Sequence, residues 1–195
     1  MREINNYLSG KECHILGSGE SLKGFDFTGI DDKFTIAINH TIEHYKASAL
    51  IFNDRMFLRT TSFNLENYHG LIFCSTSAMI YQPIHNMLGQ KNVYIYTKNE
   101  KQVSYRFEDG LFHPCSTGWL ALNLALIMNA EKIYLYGFDF TGMHFFESKE
   151  HHIYQYKKSN IEDKAVIEKC FEPWAWKIIN KSKISKLSVF EKDEN

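Results

Sequence analysis

The sequence predicts an α/β fold of Rossmann-like, doubly wound type: a mostly parallel sheet with helices on both faces and a short lid segment. Three observations point there. Short apolar runs alternate along the chain with segments of helical period, as repeated strand–helix units do. The runs are nearly continuous in hydrophobicity, the pattern of strands covered on both faces. The first run leads straight into Gly17-Ser18-Gly19, and such folds bind ligands beyond the carboxyl ends of their strands.

Strands are expected at Cys13–Leu16, Phe34–Ile38, Ala49–Phe52, Leu71–Cys74, Val93–Tyr96 and Ile133–Tyr136, with a last one at Leu187–Phe190. The clearest helix runs from Thr117 to Asn129. It is apolar nearly all round and so belongs deep against the sheet, with Ser116 or Thr117 as its N-cap. A second helix is expected from about Asn160 to Phe171, ending near Pro173. The mixed charges between Lys157 and Lys186 read as a solvated helix face.

At 195 residues, with no repeat or linker, the chain suits a single nucleotide-binding domain over 1–195, with a lid insertion at about 140–160. The net charge of −1 gives no global field for a polyanion, which argues against a dedicated nucleic-acid binder. No apolar run reaches the length of a membrane span. The four cysteines form no C-x-x-C pair, and those inside apolar runs read as small hydrophobes. A reduced, cytoplasmic protein is expected. Trp174 and Trp176 either fill the core or pack on a second subunit of a homo-oligomer.

Four polar features fall at predicted strand ends: the loop Gly17-Ser18-Gly19-Glu20-Ser21, Asn39, Asn53 and Gly137-Phe138-Asp139. The two glycines allow close approach of backbone N–H groups to a phosphate, and Ser18 and Ser21 add hydroxyls. The loop lacks the third glycine of a dinucleotide fingerprint and the Gly-Lys-Ser/Thr ending of a Walker loop, and a tight strand-to-helix turn has the same sequence. Asn39 and Asn53 suit a base or sugar hydroxyl, or satisfy their own turns. Ser116-Thr117-Gly118 offers hydroxyls, N–H groups and a helix dipole to an anion, beyond what capping needs. Asp139 has three possible partners: a ribose, an acceptor hydroxyl or neighbouring loop N–H groups. The stretch from Phe138 to Ser159 carries His144, His151, His152, Tyr154 and Tyr156. It reads as a lid bearing a base and phosphate contacts or as a surface hairpin. No second ligand cluster at zinc spacing accompanies its histidines.

These residues carry a resemblance. Gly17-Ser18-Gly19-Glu20-Ser21-Leu22 resembles the G-x-G-P-S-L loop of the small bacterial sialyltransferases that decorate lipo-oligosaccharides. Ser116-Thr117-Gly118 with its helix, then Lys132 to Phe140, resembles their T-S-G helix and K-E-I-Y-L-x-G-I-D-F strand. A broader group shares the pattern, including archaeal hydroxymethylpterin diphosphokinases and phage-borne proteins. The resemblance implies a CMP-sugar donor, inverting transfer to a hydroxyl, a lid histidine as base (His152 first, then His151 and His144) and lid tyrosines on the departing phosphate. Asn39 and Asn53 fall where the family's strand-end asparagines contact the donor. Thr141 stands where the family has a phosphate-binding Tyr, so Tyr154 or Tyr156 would substitute, and Glu20 replaces the family's Pro.

The chain has no Asp-x-Asp, the usual metal clamp for a nucleoside diphosphate leaving group. A CMP leaving group carries less charge, and hydroxyls and N–H groups can stabilise it. The expectation is therefore a metal-independent glycosyltransferase with no resident cofactor, the nucleotide-sugar being a substrate and the acceptor a glycan hydroxyl. The alternatives are a Mg²⁺-dependent diphosphokinase-like enzyme using ATP and a nucleotide-binding module without turnover.

Overall fold

The computed structural model describes residues 3–53, 55–79, 82–114, 116–141, 145 and 167–193. Every apolar run between Cys13 and Tyr136 named above becomes a strand of one parallel sheet. They are β1 (Glu12–Leu16), β2 (Phe34–Ile38), β3 (Ala49–Phe52), β4 (Leu71–Ser75), β5 (Val93–Tyr96) and β8 (Lys132–Tyr136). A small separate ladder pairs β6 (Lys98–Asn99) with β7 (Leu111–Phe112). The sheet is completed by β9 (Ile178–Asn180) and β10 (Glu191–Lys192).

The strand order β10-β9-β8-β1-β2-β3-β4-β5 is doubly wound. From β1 the chain builds outward through β5, then returns to lay β8 on the other side of β1, with Leu16 beside Tyr136. The order reverses between β1 and β8, the switch point where parallel sheets open a crevice for ligands.

Alternate residues sort to two faces because the side-chain period of a strand is two. Ile15, Ile36, Ile51, Phe73 and Leu135 join one core with Leu120 and Leu124. Those two leucines come from helix α3 (Thr117–Ile127), which lies across β1, β2 and β3. Ala37, Leu50, Phe52, Ile72 and Cys74 face the opposite way, against Phe57, Ile84 and Met87. Phe57 belongs to α1 (Arg55–Thr60), and Ile84 and Met87 to α2 (Gln82–Met87). Helices thus cover both faces. Beneath β1 and β8, on the face away from α3, short 3₁₀ turns supply Leu22 and Ile30 instead.

Nine of the eleven residues of α3 are buried, in keeping with its near-continuous hydrophobicity. It stops at Ile127 with Met128 as C-cap, and Asn129 takes a left-handed φ of 58°, a conformation Asn tolerates better than most residues. Leu187–Phe190 is not a strand: β10 begins at Glu191, because Glu168 takes the N–H groups of Ser188 and Val189 that a ladder would need.

The reading of Lys157 to Lys186 as a solvated helix face also fails over its described part. Residues 167–170 are helical and Glu172–Lys177 form a 3₁₀ helix, but β9 and a serine turn follow, with Ile178, Asn180, Ser182 and Ser185 buried. Trp174 packs against the main core, whereas Trp176 is 70% exposed. Cys13 and Cys74 are buried free thiols, and burial raises both thiol pKa values, that of Cys74 to about 12. No helix among the described residues is long and apolar enough to cross a membrane.

Candidate functional site

The glycine loop and the end of β8 are locked together. Gly17 N–H donates to Tyr136 O at 2.8 Å and Gly19 N–H to Gly137 O at 2.9 Å. A Cβ on Gly19 would lie 2.5 Å from the Asp139 carboxyl carbon, and one on Gly17 2.7 Å from Gly137 O. Both positions therefore require glycine because two loops touch backbone to backbone. These two N–H groups, read from sequence as phosphate donors, are committed to the carbonyls of β8's end.

Asp139, 1% exposed, completes the lock. It accepts from Ser21 N–H at 2.7 Å, from the Ser21 hydroxyl at 2.6 Å and from the Ser182 hydroxyl. Of its three candidate partners, loop donors are the ones it holds. Thr41 adds a hydroxyl bond to Gly17 O at 2.7 Å, and Ser185 one to Phe138 O at 2.6 Å.

What remains on offer is narrower than the sequence motif. Ser18 keeps its N–H and hydroxyl without a partner among the described residues, while its carbonyl accepts from Phe145 N–H. Ser116 occupies the N-cap of α3, yet its hydroxyl makes no capping bond, and Thr117 opens the helix beside it. Gly118 is explained by packing, since a Cβ there would approach Phe138 Cε1 to 3.1 Å. Phe138 therefore ties the start of α3 to the same loop system as Gly19.

Asn39 and Asn53 end the adjacent strands β2 and β3. Asn39 turns the chain with a φ of 50°. The side-chain oxygens of both are buried with no hydrogen-bond partner among the described residues. A buried acceptor left unpaired costs about 1–3 kcal/mol, and these two stand at the ends of neighbouring strands. The Asn53 amide nitrogen lies 3.2 Å from Nε2 of His113, just beyond β7. Burial lowers the His113 pKa foremost, and Lys98 lowers it further against an opposing effect of Glu100.

Thr141 contributes a third orphan. Its hydroxyl is buried and unpartnered among the described residues, and it follows Phe140, whose φ of 54° is unusual for a bulky side chain. Phe140 stacks on Trp119 of α3 at 5.5 Å, and this packing holds the unusual backbone.

His144, His151, His152, Tyr154 and Tyr156 lie outside the described residues. The sequence does not single out His113, Thr41 or Ser182, and marks Thr141 only as a departure from the family's Tyr. A signal for His113 was present in the step from His113-Pro114 into Ser116-Thr117-Gly118, which fixes a histidine close to the helix start. For Ser182 there was none, since its role depends on a chain return through β9.

No protein-family model matches the sequence, and no curated protein matches it by sequence. Solved structures do match. The sialyltransferase CstII from Campylobacter jejuni, solved with cytidine-5'-monophosphate, superposes with a TM-score of 0.57 at 17% identity, over 94% of this chain and 85% of that one. The chain shares the sialyltransferase fold. A CST-II structure with a trisaccharide acceptor and CMP gives 0.56 at 18% identity, over 93% and 85% of the two chains. A mammalian sialyltransferase gives 0.53 at 16%, over 88% and 69%. The MAf glycosyltransferase from Magnetospirillum magneticum AMB-1 gives 0.66 at 12%, with 98% of this chain matching only 35% of that one.

Proposed function

We propose that the chain is a metal-independent glycosyltransferase, taking a CMP-sugar or a related nucleotide-sugar and passing the sugar to a hydroxyl of a glycan acceptor. The reading rests on the two buried, unpartnered amide oxygens of Asn39 and Asn53, at the ends of β2 and β3, the strands that follow β1 and its Ser18 loop in the sheet. The shared fold supports it, because structures of that fold hold CMP and a trisaccharide acceptor.

In this reading the asparagines take ligand N–H or O–H donors. Ser18 N–H and hydroxyl, the start of α3 with Ser116 and Thr117, and the Thr141 hydroxyl face the phosphate and anionic sugar groups. The acceptor hydroxyl loses its proton to a lid histidine, His152 before His151 or His144, as its oxygen attacks the anomeric carbon and the bond to the CMP phosphate breaks. A neutral imidazole suits that proton transfer near pH 7. Tyr154 and Tyr156 meet the departing phosphate. The enzyme works in the cytoplasm, where the buried thiols stay reduced.

Calorimetry against CMP, CDP, UDP, GDP and ATP, each with and without Mg²⁺, tests the proposal. CMP is expected to bind with the same affinity under both conditions. Asn39→Ala and Asn53→Ala are each expected to weaken it about tenfold or more, the equivalent of roughly 1.4 kcal/mol for one ligand hydrogen bond. A Mg²⁺-dependent preference for ATP would replace the transferase with a diphosphokinase-like enzyme. CMP binding without turnover of any CMP-sugar, unaffected by His152→Asn, would leave a binding module.

A further inference from the structure

Asn53 has one amide and two ways to present it. Its nitrogen lies 3.2 Å from His113 Nε2 and its oxygen is buried without a partner among the described residues. That nitrogen donates only to an Nε2 without a proton, which requires the neutral ring with its proton on Nδ1. A protonated Nε2 would be a donor facing a donor. The amide would then turn over, giving its oxygen to His113 and offering N–H groups in place of the carbonyl.

The backbone that carries the imidazole is anchored. His113 N–H donates to Asn99 O at 2.8 Å, which continues the β6–β7 ladder. The preceding Phe112 N–H donates to the buried Asn123 side chain of α3 at 2.8 Å. Asn53 is fixed from its own side, its carbonyl accepting from Ser75 Oγ at 3.4 Å while Tyr96 OH holds Phe52 O at 2.9 Å. The charged groups acting on the ring are Lys98 of β6 and Glu100 just after it. With both backbones held, a 180° turn of the amide exchanges its donor and acceptor without moving the main chain.

We propose that His113 is a positioning residue whose neutral Nε2 fixes the Asn53 amide with its carbonyl as the acceptor offered to the nucleotide. Protonation of His113 reverses the amide and weakens binding. The inference rests on the nucleotide reading above and adds to it a residue, a direction of hydrogen bonding and a pH dependence. Burial holds the ring's pKa below its ordinary 6.5, so the acceptor form prevails at neutral pH and the change falls on the acid side.

Two measurements test it. In the ligand-free protein, ¹⁵N NMR of the histidine rings should show His113 Nε2 unprotonated at pH 7.5. The Asn53 side-chain amide resonances should move with the same midpoint as His113. A His113 already charged at pH 7.5, a proton on Nε2, or an Asn53 amide indifferent to His113 titration would overturn the proposal. The second measurement is CMP affinity from pH 5 to 8 for wild type and His113→Gln. Because the CMP phosphate titrates near pH 6, the glutamine variant serves as the reference curve. Wild-type affinity should fall below that reference by up to about tenfold per pH unit under the midpoint, the slope of one linked proton. Superimposable curves would overturn the proposal. Absence of CMP binding at every pH, with the amide still titrating alongside His113, would refute the nucleotide reading while supporting the amide pair.

Discussion

Asp139 and Ser18 sit in the same loop system and do different work. Asp139 is buried and gathers two donors from Ser21 and one from Ser182. Asp139→Ala leaves all three without their acceptor. At about 1–3 kcal/mol for each buried donor that stays unpaired, and with hydroxyls able to turn elsewhere, the expected loss is about 3 kcal/mol. For a chain of this size that corresponds to a Tm drop of roughly 6–12 °C. Ser18 spends only its carbonyl on the fold, so Ser18→Ala should change stability by no more than about 0.5 kcal/mol while weakening CMP. Paired melting and binding curves check both. A Ser18→Ala protein that melts like Asp139→Ala would show that the loop hydroxyl is structural. The sequence placed this loop after β1 and left its donors open between a phosphate and a tight turn. A G-x-G step looks alike whether its N–H groups face a phosphate or a neighbouring strand, and only the approach of Gly137 decides.

At the scale of elements, α3 shows what periodicity reveals and what it hides. Its burial was legible, since Leu120, Leu124 and Ile127 mark one face and Trp119, Ala121, Leu122 and Ala125 leave it apolar nearly all round. The six long apolar strands were legible for the same reason: a run of β-branched and aromatic residues has nowhere to go but inside. Three-residue β9 was not, because Ile178-Ile179-Asn180 is too short to show a period and follows an exposed Trp176. Also hidden was Asn123, one amide in an apolar helix. Its oxygen accepts from Ser104 N–H at 3.2 Å and Phe112 N–H at 2.8 Å, and its nitrogen donates to Ser104 O at 2.8 Å. This single side chain pins the Ser104 loop and β7 to the helix, and β7 leads into His113. Asn123→Leu keeps the branching at Cγ but is bulkier and strands two buried N–H groups and a carbonyl, a cost of roughly 3–5 kcal/mol from unpaired groups. The expected result is a lower Tm with CMP affinity also reduced, because His113 loses its anchor. Full stability in the leucine variant would mean that these loops find other partners.

At the scale of the whole molecule, protonation links the ligand edge to the interior of the sheet. His14 lies inside β1, 5% exposed, stacked on Tyr134 at 4.7 Å and bonded through Nδ1 to Tyr136 OH at 3.1 Å. Glu12 approaches its other nitrogen only to 3.7 Å. Burial lowers the His14 pKa more than Glu12 raises it, with Lys33 and Lys181 lowering it further. His113 is shifted the same way. Both rings are therefore more basic in the unfolded chain, at their ordinary 6.5, than in the fold. Between those two values the unfolded chain binds more protons, so stability is full above about pH 6.5 and declines as pH falls, by up to about 1.4 kcal/mol per pH unit for each ring. Glu43 extends the decline to lower pH. Burial pushes its carboxyl up, but bonds from His40, Thr61 and Ser62 outweigh that and leave it below its ordinary 4.5. Its contribution is present above that value and lost as pH falls through the folded pKa. Urea unfolding at half-unit steps from pH 8 to 4 should show a plateau, a slope beginning near 6.5, and a further fall below 4.5. His14→Gln, which keeps a partner for Tyr136, should reduce the first slope by one proton and leave the His113-dependent change in CMP affinity in place. Stability that rises as pH falls from 7 to 5 would mean that the two rings are charged in the fold, and would remove the neutral His113 on which the orientation of Asn53 depends.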